Sequence, residues 1–130
     1  MDKPPTNQRR PTRAELSLLQ VLWRRGPSTV REVHEALPER DTGYTTVLKL
    51  LQIMHDKGLV ARDESQRAHV YEAASSRCQT QRQMLHDFLD NVYEGSATRL
   101  AMQALDEAKS VDEHDVARLR RSLEQLESRV

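Results

Sequence analysis

Cysteine, aromatic residues and long apolar runs are scarce in this chain of 130 residues. Its one cysteine, Cys78, excludes an internal disulfide and a metal site built from several thiolates. The opening residues lack the apolar core of a signal peptide. The longest strongly apolar stretch, residues 16–23, is far shorter than the roughly 20 residues that span a bilayer. We therefore expect a cytoplasmic protein without membrane insertion.

The composition indicates one small domain, or one small domain with an appendage. Aromatic residues make up 4% of the chain, charged residues make up 31%, and the mean hydropathy is −0.76. The length of 130 residues excludes a large multi-domain enzyme, and the scarcity of aromatic residues leaves little bulk for one large core, which favours self-association. Residues 1–73 carry 12 basic and 10 acidic side chains, and residues 74–130 carry 8 and 10. An excess of two basic side chains in the first part of the chain does not by itself indicate a polyanion partner.

Capping boxes predict where the first two helices begin. Thr12 and Thr29 each precede a glutamate by three positions, so that hydroxyl and carboxylate can each accept a hydrogen bond from the other residue's backbone amide. Ser28 is an alternative cap for the second helix. The first helix is predicted over 12–25. The second ends at Pro38, because proline cannot continue a helix, and a polar connection over 39–42 follows.

A third helix is predicted over 43–57, and a hairpin over 59–73 follows it directly. We expect Gly43 to adopt a positive φ in the turn before this helix. The hydrophobic period then changes to two, which predicts strands over 59–62 and 69–72. Three helices followed by a two-stranded hairpin are typical of a winged helix-turn-helix domain.

The C-terminal part of the chain is predicted to be helical, with apolar stripes at three- and four-residue spacing, and Asp112 is predicted to cap the last helix. These stripes either fold back on the winged helix or meet the same stripes of a second copy, and the long one-sided last stripe favours a dimer. The predicted interface residues are Leu85, Phe88, Leu89, Val92, Leu100, Val116, Leu119, Leu123 and Leu126.

The chain is thus predicted to be mainly α with a small β-hairpin, in three parts. A disordered arm covers residues 1–11, where proline and arginine occur without apolar periodicity. A winged helix-turn-helix domain covers residues 12–75, and a helical dimerisation domain covers residues 76–130.

Three short segments resemble a known family. Residues 43–47 read Gly-Tyr-Thr-Thr-Val, residues 57–60 read Lys-Gly-Leu-Val and residues 67–71 read Arg-Ala-His-Val-Tyr. They resemble the BlaI/MecI/CopY family of penicillinase-type repressors, and the resemblance covers roughly residues 12–126. It implies a bacterial homodimer that binds dyad-symmetric operator DNA and blocks transcription, often of a gene for a β-lactamase, the cell wall or metal homeostasis. It also implies that the third helix enters the major groove and that the C-terminal helices form the dimer.

Two departures from the family narrow this interpretation. Copper-responsive members end in a metal-binding cluster of cysteines, whereas this chain has only Cys78, which argues against a copper sensor. β-Lactam-responsive members are paired with a membrane sensor protease and are cut at an Asn-Phe pair. The corresponding residues here are Gln103 and Ala104. The resemblance implies a sensor protease as a partner, but the departure at Gln103 and Ala104 argues against cleavage at this bond and leaves another bond between Gly95 and Ala108 as the alternative.

The third helix carries polar side chains that suit major-groove readout. Amine, amide and hydroxyl groups can bond base edges, and threonine methyls can contact thymine methyls. The predicted base contacts are Thr45, Thr46, Lys49 and Gln52. The predicted phosphate contacts are Ser28, Thr29, Arg31, Tyr44, Arg67 and His69. As alternatives, Arg31 pairs with Glu35 four residues on, Thr45 caps the helix and Tyr44 fills a gap.

Two other classes of function remain open from the sequence. A winged helix can dock a protein through its third helix without binding DNA, an interpretation that the neutral net charge supports. A cysteine hydrolase would pair Cys78 with His69 or His86, but the sequence has neither a glycine-rich phosphate loop nor a nucleophile elbow. We expect no enzyme activity, no metal and no cofactor, and a lone thiol that packs partly buried.

Overall fold

The computed structural model describes residues 10–38 and 42–130. The predicted arm up to residue 9, and residues 39–41 of the predicted connection, lie outside this part. The described residues form, in chain order, α1 (Arg13–Arg25), β1 (Ser28–Thr29), α2 (Val30–Ala36), α3 (Tyr44–Lys57), β2 (Val60–Asp63), β3 (Val70–Ala73), α4 (Arg77–Val92), α5 (Ala97–Glu107) and α6 (Glu113–Glu127). The predicted fold class, mainly helical with a small antiparallel sheet, is confirmed.

Contacts divide the chain into two compact units, Met1–His86 and Asp87–Val130. In the first unit, both predicted capping boxes form. The Thr12 hydroxyl accepts from the Glu15 amide at 3.2 Å, and the Glu15 carboxylate accepts from the Thr12 amide at 2.9 Å. Thr29 and Glu32 repeat the arrangement at the same two distances. These reciprocal bonds satisfy backbone amides that the helix itself leaves without partners, which fixes where α1 and α2 begin.

Gly43 differs from the sequence prediction. Its φ is −75°, an extended conformation at the N-cap of α3, so the predicted positive φ is wrong. An N-cap residue leads into the helix from extended backbone, and the left-handed conformation belongs to the other end. There Gly58 takes φ 82° and its amide donates to the His55 carbonyl at 3.1 Å, which closes the helix.

The sheet has three strands in the order β1-β3-β2, where the sequence predicted only the hairpin of β2 and β3. β1 pairs antiparallel with β3 through Ser28 with Tyr71 and Thr29 with Val70. A two-residue strand has no periodicity to detect, so a hydrophobic pattern cannot reveal it. Because β1 leads directly into α2, this pairing holds the start of α2 against the hairpin.

The core of the first unit lies between α1, α2, α3 and the sheet. It consists of Leu18, Leu19, Val21, Leu22, Val30, Val33, Leu37, Val47, Leu51, Met54, Val60 and Tyr71. One carboxylate is enclosed with it, since Glu15 is only 2% exposed. The Lys57 ammonium donates to Glu15 Oε1 at 2.7 Å and joins the start of α1 to the end of α3.

The one tryptophan of the chain lies where the first unit continues into α4. The Trp23 indole nitrogen donates to the Ser75 carbonyl at 2.9 Å. The Arg77 guanidinium lies over the same ring, 5.7 Å from its centre, within the range of a cation–π contact. α1 is therefore bound to the segment that opens α4.

The second unit contains the end of α4 and all of α5 and α6. The predicted cap of the last helix is confirmed, because the Asp112 carboxylate accepts from the Asp115 amide at 2.9 Å. Ser96 caps α5 in the same way through the Arg99 amide at 3.2 Å. α4, α5 and α6 contain no buried residue, so their apolar side chains stay open to solvent in the single chain.

Candidate nucleic-acid interface

The outer face of α3 presents three of the four predicted base contacts together. Thr45, Lys49 and Gln52 are exposed, and helical spacing places them on one stripe opposite the buried side of the helix. No side chain caps α3, so the alternative in which Thr45 caps this helix is wrong. This stripe offers a hydroxyl, an ammonium and an amide over about two helical turns.

Thr46 lies to the side of that stripe. It is exposed, but it lines a small cavity together with Leu37 and Leu50, where α1, α2 and α3 meet. Of the four predicted base contacts, it is the one that the helix turns away from the others.

A groove of about 490 Å³ lies beside α3, between the start of α2 and the sheet. We call it the wing groove. It is lined by Thr29, Val30, Arg31, Tyr44, Leu48, Gln52, Arg62, Arg67, Ala68, His69 and Tyr71. It therefore brings together the base-contact candidate Gln52 and five of the six predicted phosphate contacts, from segments far apart in the sequence.

Tyr44 stands at the rim of this groove, 48% exposed. The His34 ring meets it edge-on, with 6.1 Å between the ring centres. His34 Nε2 donates to the Thr42 carbonyl at 2.9 Å, which fixes the imidazole between α2 and the residues before α3. Tyr44 therefore does not fill an internal gap, and its phenol is held towards the groove by a neighbouring helix.

Ser28 is the predicted phosphate contact that the structure does not bring to the surface. It is 1% exposed, and its hydroxyl donates to the Gly26 carbonyl at 2.9 Å. Ser28 is a residue of β1, paired with the buried Tyr71, and the sequence did not predict that strand. An enclosed hydroxyl that already donates within the protein is poorly placed to bind a phosphate.

Thr29 and Arg31 lie in the wing groove with internal partners. The Thr29 amide donates to the Glu32 carboxylate, and the Thr29 hydroxyl accepts from the Glu32 amide. Hydrogen bonds from the backbone and side chain of Thr29, together with the charge of Arg25, lower the pKa of the Glu32 carboxyl below its ordinary value. Arg31 Nε donates to Glu35 Oε1 at 3.2 Å, in an exposed pair four residues apart. Exposed pairs of this kind are weak enough to exchange with a ligand.

Arg62 and Tyr71 line the same groove, and the sequence prediction did not include them. The Arg62 guanidinium hydrogen-bonds the Tyr71 side chain and pairs with the Glu64 carboxylate at 2.6 Å, and these contacts raise the pKa of Arg62. The guanidinium is therefore charged at any physiological pH. The sequence contained one indication of this position. Arg62 follows Val60 by two positions, so in a strand its cationic side chain lies on the same inner face as the buried Val60.

The predicted dimer residues are all exposed or half-exposed in the single chain. On α4, Leu85, Phe88 and Val92 are 53%, 47% and 58% exposed, and on α6, Leu123 is 59% exposed. Large apolar side chains placed regularly along helices, and left open, are typical of surfaces that another chain covers. The dimer stays a prediction.

Cys78 is exposed, so the expectation of a partly buried thiol is wrong. It lies in the first turn of α4, on a helix without buried residues. Among the described residues, no group of three histidine, cysteine, aspartate or glutamate side chains is placed to hold a metal ion. No described helix has the length and apolar character needed to cross a bilayer.

Comparison with known proteins identifies the family. The family model described as penicillinase repressor matches residues 11–125. The "Transcriptional regulator BlaI" of Mycobacterium tuberculosis, from strains CDC 1551 and H37Rv, is 36% identical over 116 residues, covering 88% of this chain and 83% of the relative. The matched region includes the winged helix and most of the C-terminal helices. The chain therefore belongs to the penicillinase repressor family of BlaI/MecI-type transcriptional repressors.

Proposed function

We propose that this protein represses transcription in a bacterial cytoplasm by binding a dyad-symmetric DNA operator as a homodimer. The observation that carries the proposal is the continuity between the outer stripe of α3 and the wing groove, because Gln52 belongs to both. A helix that presents bonding groups to a major groove, next to a cleft with cationic and hydroxyl groups for the adjacent phosphates, is the geometry of winged-helix DNA binding.

In this arrangement α3 lies in the major groove. Lys49 donates to a guanine edge, Gln52 addresses an adenine, and the methyl groups of Thr45 and Thr46 contact thymine methyls. Tyr44, Arg67 and His69 bond phosphates from the wing groove, and Thr29 and Arg31 approach the same backbone from the start of α2. Ser28 is left out of this set, because its hydroxyl is enclosed.

A second copy supplies the other half of the operator. The open apolar side chains of α4, α5 and α6 form the dimer surface, and a two-fold protein places its two α3 helices on half-sites about one DNA turn apart, roughly 10 base pairs, or a multiple of that.

Release from the operator is proposed to follow loss of the C-terminal region through a membrane sensor protease. The bond that corresponds to the family's cleavage site joins Gln103 to Ala104, within α5. Both residues are exposed, and Gln103 Nε2 donates to Glu107 Oε1 at 2.9 Å. Cleavage products identified by mass spectrometry, from cells exposed to a β-lactam, would test this step and locate the bond that is cut.

Footprinting on the DNA upstream of the protein's own gene, over a range of salt concentrations, tests the function. We expect a protected site with two-fold symmetry, and an affinity that falls steeply as salt rises, because each neutralised phosphate releases counterions. If neither this DNA nor a genome-wide selection yields a sequence-dependent complex, a winged helix that docks a protein through α3 becomes the better interpretation. The neutral net charge is compatible with that alternative.

A further inference from the structure

Arg62 is the most constrained cation of the wing groove. Its side chain is 23% exposed, and its guanidinium is bonded to Tyr71 and to Glu64 Oε1, with 2.6 Å between Nη2 and the carboxylate oxygen. Its Nε is enclosed and has no hydrogen-bond acceptor within the described chain. An enclosed donor without an acceptor is unfavourable, so a ligand that offers the guanidinium more acceptor atoms can compete with its present partners.

Glu64 is the replaceable partner. Its side chain is 54% exposed at the edge of the hairpin, whereas the other partner, Tyr71, is 1% exposed in the core. A carboxylate and a phosphate offer a guanidinium the same pair of acceptor oxygens, so Glu64 occupies a position that suits a phosphate. Movement of Glu64 into solvent requires no change in the core, because it belongs to the loop between β2 and β3.

We propose that Arg62 is a further phosphate-binding residue, and that operator DNA replaces Glu64 as its partner. Tyr71 keeps the guanidinium in the wing groove while a phosphate oxygen takes the place of the carboxylate. Glu64 thus lowers the affinity of the repressor for DNA, since each complex that uses Arg62 must first break this ion pair. This inference rests on the proposed function, because it assumes that the wing groove faces a DNA backbone.

Glu64→Gln tests the exchange, with Glu72→Gln as its matched control. Arg62 and Tyr71 are register partners on the inner face of the hairpin, and Glu72, next to Tyr71, is exposed on the outer face of the same sheet. Each variant removes one negative charge, but only the first removes the partner of Arg62. We expect Glu64→Gln to bind operator DNA about two- to fivefold more tightly at moderate salt, a change that matches the strength of a partly exposed ion pair. Glu72→Gln should show less than half of this gain.

Arg62→Gln completes a double-mutant cycle. We expect operator binding to weaken about three- to tenfold and the slope of log K against log salt to become shallower by about 0.9, the value for one lost phosphate contact. In the Arg62→Gln background, Glu64→Gln should add no more than Glu72→Gln does. Circular dichroism and sedimentation of each variant establish that the fold and the oligomeric state are retained.

Three results would overturn the exchange: an equal gain from both glutamine variants, a Glu64→Gln gain that persists without Arg62, or normal DNA binding by Arg62→Gln. Failure of the proposed function gives a different result, since the wild-type protein would then protect no dyad at all. In that case a random duplex at low salt still decides the inference, because a released Arg62 should raise binding to any DNA backbone at least twice as much in Glu64→Gln as in Glu72→Gln.

Discussion

Lys49 is the single residue on which we expect operator recognition to depend most. It is exposed in the middle of the outer stripe of α3, between Thr45 and Gln52. Lys49→Ala should cost about 1 to 3 kcal/mol of binding to the operator, because a base-edge bond is lost while the fold is untouched. Lys109→Ala, which removes the same charge from an exposed position in the second unit, is the control. Titrations against operator and random DNA separate the roles, since equal losses on both would make Lys49 a phosphate contact only.

Glu32 gives the first unit a dependence on pH. The backbone amide and the side chain of Thr29 each form a hydrogen bond with this carboxyl, and the positive charge of Arg25 lies nearby. Together these interactions lower the pKa of Glu32 below 4.5. A depressed folded-state pKa contributes stability that is complete above the unfolded value and is lost as the pH falls through the folded value. Urea midpoints should therefore fall below pH 4.5 by more in the wild type than in Glu32→Gln, whose amide oxygen keeps the capping bond. Glu124→Gln, on exposed α6, controls for the loss of one carboxylate.

At the scale of elements, the ion pair between Glu15 and Lys57 determines how firmly α1 holds α3. Glu15 is 2% exposed and the Lys57 side chain is 22% exposed, so removal of the ammonium leaves a carboxylate enclosed without a counter-charge. Lys57→Met should lower the free energy of unfolding by about 2 to 3 kcal/mol, less than for a fully buried pair because the lysine reaches solvent. The measurement is urea denaturation at neutral pH.

The double variant Glu15→Gln with Lys57→Met distinguishes this cause from loss of packing. The glutamine oxygen can still accept from the Thr12 amide in the capping box, and it brings no charge into the core. We expect the double variant to recover more than half of the lost free energy of unfolding. A double variant as unstable as Lys57→Met alone would mean that the lysine chain stabilises the core by packing and not by its charge.

Predictability from the sequence also differs between elements. α1, α2 and α6 begin at the residues that their capping patterns indicated, because a cap is a local exchange of hydrogen bonds that neighbouring residues determine. β1 could not be found in this way. Its two residues form a strand only because β3, some forty positions later, offers backbone partners, and this pairing is what encloses Ser28. A local pattern does not contain contacts between distant segments.

The same reason explains what the sequence could say about the candidate site. The polar face of α3 follows from helical spacing, so the stripe of Thr45, Lys49 and Gln52 was within reach of the sequence. The contacts of Arg62 could not be predicted from the sequence, because a loop carboxylate and a buried phenol meet it only in the folded hairpin. The groove itself is a product of tertiary packing.

At the scale of the whole molecule, α6 should decide the oligomeric state. Leu119→Asp with Leu123→Asp places two charges on its exposed apolar stripe, and we expect a monomer that no longer binds the operator. Sedimentation of the protein and footprinting of the operator measure the two effects. Ala117→Asp with Gln125→Asp adds the same charge to the far side of α6 and should stay dimeric. A leucine variant that remains dimeric would show that α6 is not the dimer interface.

The bond from Trp23 to the Ser75 carbonyl gives this molecule a built-in optical reporter. Because Trp23 is the one tryptophan of the chain, its fluorescence emission comes from the first unit alone, where the indole also lies beside the Arg77 guanidinium. Helical circular dichroism sums both units, with the end of α4 and all of α5 and α6 contributing from the second. Two denaturation curves recorded on one sample therefore follow different parts of the protein. Coincident midpoints indicate a single cooperative transition, and separated midpoints assign a stability to each unit without cutting the chain.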